Sequence, residues 1–145
     1  MDQIKFRIDT KKEENLEYPI VTILINEVDL IEKLKVFEKS FAEEEGSDTL
    51  AGAYEGLPVS ILYNYLISYK ERERISVLGC TCGFEGCWPM KVKITETNEK
   101  MIWSDFEQPH RNKESHHYWD YTSFGKFEFE KKEYQEQLFY LKSFF

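Results

Sequence analysis

The sequence has little glycine and proline, with 7 and 4 residues among 145, and it has no long apolar run. Collagen-like, low-complexity and disordered chains are excluded, because the chain also carries 11 Phe, 9 Tyr and 3 Trp. No apolar run approaches the roughly 20 residues that a membrane-spanning helix requires. The first residues, Met1 to Lys5, show no basic leader followed by an apolar core, so we also expect no secretory signal.

Basic residues are outnumbered by acidic residues, and no run of Lys and Arg forms a basic stripe. The chain has 19 Lys and Arg against 27 Asp and Glu, for a net charge of −8. Nucleic-acid binding usually needs a basic stripe, so a nucleic-acid partner is not expected. The stretch 27–55 holds nine acids and three lysines, a net charge of −6. An acidic stretch of this kind either attracts a basic protein partner or forms a solvent-exposed surface, and the solvent-exposed surface is the commoner case.

Cysteine is scarce and odd in number, with three residues. Secreted disulfide frameworks normally use an even number of cysteines, so we predict a reducing, cytoplasmic location. A chain of 145 residues matches the usual length of one domain and buries enough surface to fold without disulfides. We therefore predict a single domain over residues 1–145.

Hydrophobic periodicity in the first half predicts two strands and two helices. Residues 4–8 alternate between apolar and polar, residues 18–25 are rich in β-branched side chains, and the polar stretch 11–17 between them is predicted as a loop. A helix is predicted from Asp29, an N-cap acid, through an apolar stripe of Leu30, Leu34, Phe37 and Phe41. The stretch 58–69 fits either a helix or a strand, and a helix is favoured.

The second half predicts an antiparallel meander followed by a helix. Strands are expected at 74–79, 90–95 and from Met101 onward, because the short connections between them permit only antiparallel pairing. A long polar loop over 107–121 precedes a last helix with Tyr134, Leu138 and Leu141 on one face. The fold class predicted is α+β: an antiparallel sheet in a two-layer arrangement, with the helices on one face.

The segment 80–89 carries all three cysteines, Cys80, Cys82 and Cys87, between two predicted strands. Three thiolates and one histidine can hold zinc in a tetrahedral shell, with His110, His116 or His117 as the fourth ligand. One residue separates Cys80 from Cys82, whereas zinc knuckles usually have two to four, so the spacing counts against a zinc site. The favoured interpretation is that the thiols pack as small hydrophobes; redox chemistry is the least favoured.

The loop after the third meander strand gathers histidine, arginine and tryptophan, and loops of this kind often carry function. Asp105 could orient His110 for general base chemistry. Trp103 or Trp119 could form with Arg111 a stacking platform for a planar or anionic ligand. The competing interpretations place Trp103 in the core and make Arg111 a salt-bridge partner that holds the loop down. No nucleophile elbow, phosphate-binding glycine loop or zinc-protease motif is present.

Three runs carry a resemblance to a known group: the cysteine–glycine hairpin over 77–89, Trp103-Ser104-Asp105-Phe106, and the aromatic run from Phe127 to Tyr134. Together they resemble a group of small uncharacterised bacterial proteins in which such a hairpin precedes a Trp-x-x-Phe strand. The resemblance spans about the last half of the chain, from 77 to 141. It implies a bacterial cytoplasmic origin and this order of elements, and it implies no activity.

The function predicted is a non-enzymatic module that binds a protein or another ligand. Its surface would be built where the loop 105–121 meets the cysteine hairpin. The alternative is a zinc-dependent or acid–base enzyme that uses the cysteines and His110, and a purely structural zinc is a third option. A homodimer is also considered, because 11 Phe, 9 Tyr and 3 Trp exceed what one small core requires.

Overall fold

The computed structural model describes residues 1–80, 88–115 and 117–145, and in these it has three α-helices and two antiparallel sheets. The predicted α+β class is confirmed. The elements in chain order are β1 (Ile4–Glu13), β2 (Leu16–Ile25), β3 (Val28–Asp29), α1 (Leu30–Glu44), a 3-10 turn (Asp48–Leu50), β4 (Tyr54–Gly56), α2 (Val59–Ser68), β5 (Arg74–Cys80), β6 (Met90–Glu96), β7 (Lys100–Glu107), a second 3-10 turn (Pro109–Arg111), β8 (Phe127–Glu130) and α3 (Lys131–Lys142).

The strands are divided between two sheets, whereas the sequence predicted one. The first sheet has the order β1-β2-β3, and the second has the order β4-β5-β6-β7-β8. The two sheets meet where the backbone N–H of Val21 donates to the carbonyl of Leu57 at 2.9 Å. Helix α2 contacts β2 and β5, and α3 contacts β1, β7 and β8, so both helices pack against strands of both sheets.

The first hairpin corrects a prediction, because residues 11–17 are not a loop. The pairing runs from Ile4 opposite Ile25 to Glu13 opposite Leu16, which leaves only two residues in the turn. Glu14 takes a positive φ of 54° and so allows this tight reversal. The polar residues that resembled a loop pair across the strands, as when Lys12 Nζ lies 3.4 Å from Glu17 Oε1.

Helix α1 forms as its sequence predicts. The Asp29 carboxylate accepts a hydrogen bond from the backbone N–H of Ile31 at 2.8 Å, which satisfies an orphan donor at the helix start. Leu30 and Leu34 are fully buried beneath it, and the helix ends at Glu44, just before Gly46 at a φ of 79°. The favoured helix in 58–69 is also present, as α2.

Trp103 is at the centre of the core and is therefore not a binding residue. Its side chain is 0% exposed on β7, and its ring packs edge-on against Phe129 at 5.6 Å. The indole Nε1 donates to the hydroxyl of Tyr134 at 3.1 Å, so its polar group is satisfied internally. The core interpretation of Trp103 holds and the platform role proposed for it is wrong.

Among the described residues, no helix is both long enough and apolar enough to cross a membrane.

Candidate functional site

Trp88, which directly follows residues 81–87 in the sequence, contacts the histidine-bearing loop. The indole of Trp88 lies parallel to the imidazole of His110, with ring centroids 6.0 Å apart and an interplanar angle of 5°. The guanidinium carbon of Arg111 lies 4.8 Å from the Trp88 ring and 5.2 Å from the Trp119 ring. The sequence predicted that the cysteine segment and this loop would adjoin; Trp88 contacts the loop, and residues 81–87 lie outside the described residues.

Arg111 is an anchor that fixes the loop to the end of α1. Its Nη2 lies 3.1 Å from Glu45 Oε1, and the side chains of Arg111 and Glu45 are only 17% and 11% exposed. Trp119 Nε1 donates to the other oxygen of Glu45, so one carboxylate holds both partners. We call Glu45, Trp88, Arg111 and Trp119 the Arg111 cluster. Because the guanidinium lies over both indole rings and is paired with Glu45, the cluster positions the loop.

A buried carboxylate fixes the other end of the same loop. Glu38 is fully buried on α1; its Oε1 accepts from the backbone N–H of Gly52 at 2.8 Å, and its Oε2 accepts from the hydroxyls of Tyr54 and Tyr121. Burial raises the pKa of Glu38, and the two tyrosine hydroxyls and the Gly52 amide oppose that rise. Burial likewise raises the pKa of Tyr54 and of Tyr121, so both hydroxyls stay protonated and keep donating.

Glu38 was not among the predicted site residues, although the sequence contains a signal for it. The fully buried positions of α1 recur every four residues, at Leu30, Leu34, Glu38 and Ala42. An acid in the middle of a buried stripe predicts a hydrogen-bonded carboxylate, because a buried charge without partners is too costly. No comparable signal marks Glu45, since its partners Arg111 and Trp119 are far along the chain.

These anchors frame a cleft of about 300 Å³ beside the end of β7, which we call the β7 cleft. Its charged lining is balanced, with three cationic and three acidic side chains, and its walls are aromatic. The lining residues are Arg74, Asp105, Phe106, Glu107, Arg111, Asn112, Lys113, Glu114, Tyr118, Trp119, Tyr121 and Thr122. Asp105, Arg111 and Trp119 were predicted as binding residues and are all part of this lining.

A β-bulge in β7 places Asp105 in the cleft. Lys93 faces Ser104 and Lys91 faces Glu107, so β7 has one extra residue between these pairs. Asp105 takes a positive φ of 54°, a conformation that costs a non-glycine residue of order 1–3 kcal/mol. Arg74 supports it, because its Nε donates to the Asp105 carbonyl at 2.6 Å. The bulge turns the Asp105 carboxylate outward, where it is exposed.

Only some of the predicted zinc ligands lie within the described residues. Cys80 is buried at the end of β5, opposite Tyr54 of β4, whereas Cys82, Cys87 and His116 lie outside the described residues. Within the described residues, no group of three His, Cys, Asp or Glu side chains is arranged to hold a metal ion. His110 stacks on Trp88. The four-ligand set of Cys80, Cys82, Cys87 and His110 therefore stays a prediction.

Three buried donors next to the cleft lack a hydrogen-bond partner among the residues that the structure describes. They are Trp88 Nε1, Gln108 Nε2 and Arg111 Nε.

Comparison of the chain with protein-family models, with curated proteins and with solved structures finds no match.

Proposed function

We propose that the protein is a non-enzymatic binding module whose β7 cleft receives a short segment of a protein partner. The observation that carries the proposal is the cleft itself: a concave, aromatic-walled surface lined by the predicted loop and held in place by the Arg111 cluster and Glu38. Concave surfaces with a few positioned polar groups are where proteins most often bind ligands.

The charge of the cleft supports a polypeptide over a polyanion or a polycation. Arg74, Arg111 and Lys113 balance the three acids of the lining, although the whole chain carries −8. A polypeptide segment offers backbone donors and acceptors and side chains of both signs, which suits a mixed lining. A volume of about 300 Å³ is at the lower end of the range for ligand pockets, so the segment bound is short.

The proposal is tested with random short peptides displayed on phage and selected on the wild-type protein. Selected peptides are then measured by calorimetry against wild type, Lys113→Glu and Lys132→Glu. Both lysines are exposed, but Lys113 lines the cleft and Lys132 lies on α3. We expect Lys113→Glu to weaken binding about tenfold, or about 1.4 kcal/mol, and Lys132→Glu to leave it unchanged. If no peptide is enriched, or if both variants bind equally, the β7 cleft is not the binding site.

A zinc site is the second candidate, favoured by one contact. Trp88 follows Cys87 directly in the sequence and stacks on His110, which brings that end of the cysteine segment beside a histidine. Three thiolates and one imidazole would fill all four positions of a structural zinc. Elemental analysis of the purified chain tests this: about one zinc per chain in wild type and less in Cys82→Ser supports it, and a zinc-free wild type ends it.

A further inference from the structure

Helix α2 presents a surface without charge in a strongly charged chain. Charged residues are 32% of the sequence, yet none falls within Val59–Ser68. Leu62 and Leu66 are buried against the core, while Ser60, Asn64 and Ile67 are exposed. Ile67 is 52% exposed, so a large aliphatic side chain lies on the solvent side of this helix.

Aromatic side chains extend this surface onto the end of α3. The ring of Tyr63, one helical turn before Ile67, lies 4.9 Å from the ring of Phe145 in an edge-on contact. Phe144, the residue before Phe145, has its ring 5.2 Å from the ring of Tyr140. Phe145 is 63% exposed. Tyr63 and Ile67 lie on α2, Tyr140 lies on α3, and Phe144 and Phe145 follow the end of α3. We call these five residues the α2 face.

We propose that the α2 face is the contact between two copies of this chain, related by a two-fold axis. Each copy carries −8, so two copies repel one another wherever their charged faces approach. None of the five side chains of the α2 face is charged, so two copies can meet there without bringing like-charged side chains together. A partner of opposite charge would instead gain by approaching the acidic stretch 27–55.

The size of the α2 face sets the strength of the contact. Its four exposed members present on the order of 400 Å² per copy, given about 150–250 Å² for a large side chain. A standard interface buries about 800 Å² per partner. The apolar side chains of the α2 face therefore supply about half of that area, and surrounding polar residues would have to supply the other half. We therefore expect a weak, concentration-dependent dimer with a Kd in the micromolar range.

Sedimentation velocity of the full chain over about 1–300 µM tests the proposal, because this range brackets a micromolar Kd. Wild type is expected to shift from monomer to dimer with rising concentration. Ile67→Asp and Phe145→Asp each place two like charges in the contact, so each is expected to raise the Kd at least about tenfold. Phe145 lies beyond the end of α3 at Lys142, so its replacement leaves the helix intact even if Ile67→Asp folds poorly.

Val36→Asp is the matched control. Val36 is 78% exposed and borders an apolar groove between α1 and Phe124 and Phe127, far from any residue of the α2 face in sequence. It is expected to dimerise like wild type. A wild type that stays monomeric at the highest concentration overturns the proposal. So does a dimer that Val36→Asp breaks, or one that both Ile67→Asp and Phe145→Asp leave unchanged.

Discussion

At the scale of single residues, Glu38 shows how this protein keeps an acid inside its core. Its carboxylate has three donors, from Gly52, Tyr54 and Tyr121, and among the described residues no cation pairs with it. A hydrogen bond to a charged group contributes about 1.5–3 kcal/mol, which is more than a neutral hydrogen bond contributes. Burial still outweighs them, since the pKa of Glu38 is raised. The protonated form is therefore favoured by folding.

This linkage predicts a pH dependence that Glu38→Gln removes. Because the pKa of Glu38 is higher in the folded than in the unfolded state, its contribution to stability is complete below the ordinary value of 4.5 and is lost as pH rises through the folded pKa. The difference in unfolding free energy, wild type minus Glu38→Gln, should thus fall from pH 4.5 upward. Urea denaturation across that window measures it. Glu43→Gln, at an exposed position of the same helix, is the matched control. A difference for Glu38→Gln that falls no more than that of the control would contradict this prediction.

The contacts of single residues also show which parts of the site could be predicted from the sequence. The predicted ion pair of Arg111 is present, and the predicted stacking with Trp119 is present too. Neither its acid partner Glu45 nor its second indole Trp88 could be chosen from the sequence, because each contact depends on how distant segments pack. Composition identifies the residues that need partners, whereas only the fold decides which partners they find.

At the scale of elements, local chemistry decided what could be predicted. Helix α1 was predictable because its cap and its apolar stripe are local signals, from Asp29 to Phe41. The length of the first hairpin could not be predicted, because Lys11 and Lys12 of β1 are held in strand conformation by pairing with β2, where Tyr18 and Glu17 lie opposite them. The bulge at Asp105 could not be predicted either, since the extra residue in β7 is defined only by its pairing with the neighbouring strand β6.

The cap of α1 gives a prediction at this scale. Asp29→Ala removes the side-chain acceptor for Ile31 N–H and should lower the unfolding free energy by about 1 kcal/mol. For a chain of this length that corresponds to a fall in Tm of about 2–4 °C. Thermal unfolding followed by circular dichroism measures the change. Asp48→Ala is the matched control, because Asp48 is an exposed acid in the first turn of a 3-10 helix but is not its N-cap residue; an equal fall in both variants would argue against a capping role.

At the scale of the whole molecule, the two sheets are joined at several places. Gly56 of β4 passes so close to β2 that an added Cβ would lie 2.2 Å from the Val21 carbonyl oxygen. Lys11 of β1 forms an ion pair with Glu55 of β4. Beyond the other end of β1, the N–H of Asp2 donates to the carbonyl of Glu128 at 2.9 Å, and Asp2 Oδ2 accepts from the N–H of Glu128. Sequence patterns predicted β1, β2, β5, β6 and β7 but could not assign them to two sheets, because alternation in one strand does not identify its neighbour.

These links predict that the two sheets unfold together and that, among the glycines that the structure describes, Gly56 is the most sensitive to an added methyl group. Gly56→Ala forces a side chain against the backbone of β2, where no flexible atom can yield, so we expect a loss of about 3 kcal/mol or more. Gly46→Ala is the matched control: its φ of 79° disfavours alanine by about 1–2 kcal/mol, but nothing lies within 4 Å of the added Cβ. Urea unfolding followed by far-ultraviolet circular dichroism and by tryptophan fluorescence should give coincident transitions in both variants, with the larger shift in Gly56→Ala. If the two probes separate, or if Gly46→Ala is the more destabilising change, the sheets do not form one cooperative unit through this contact.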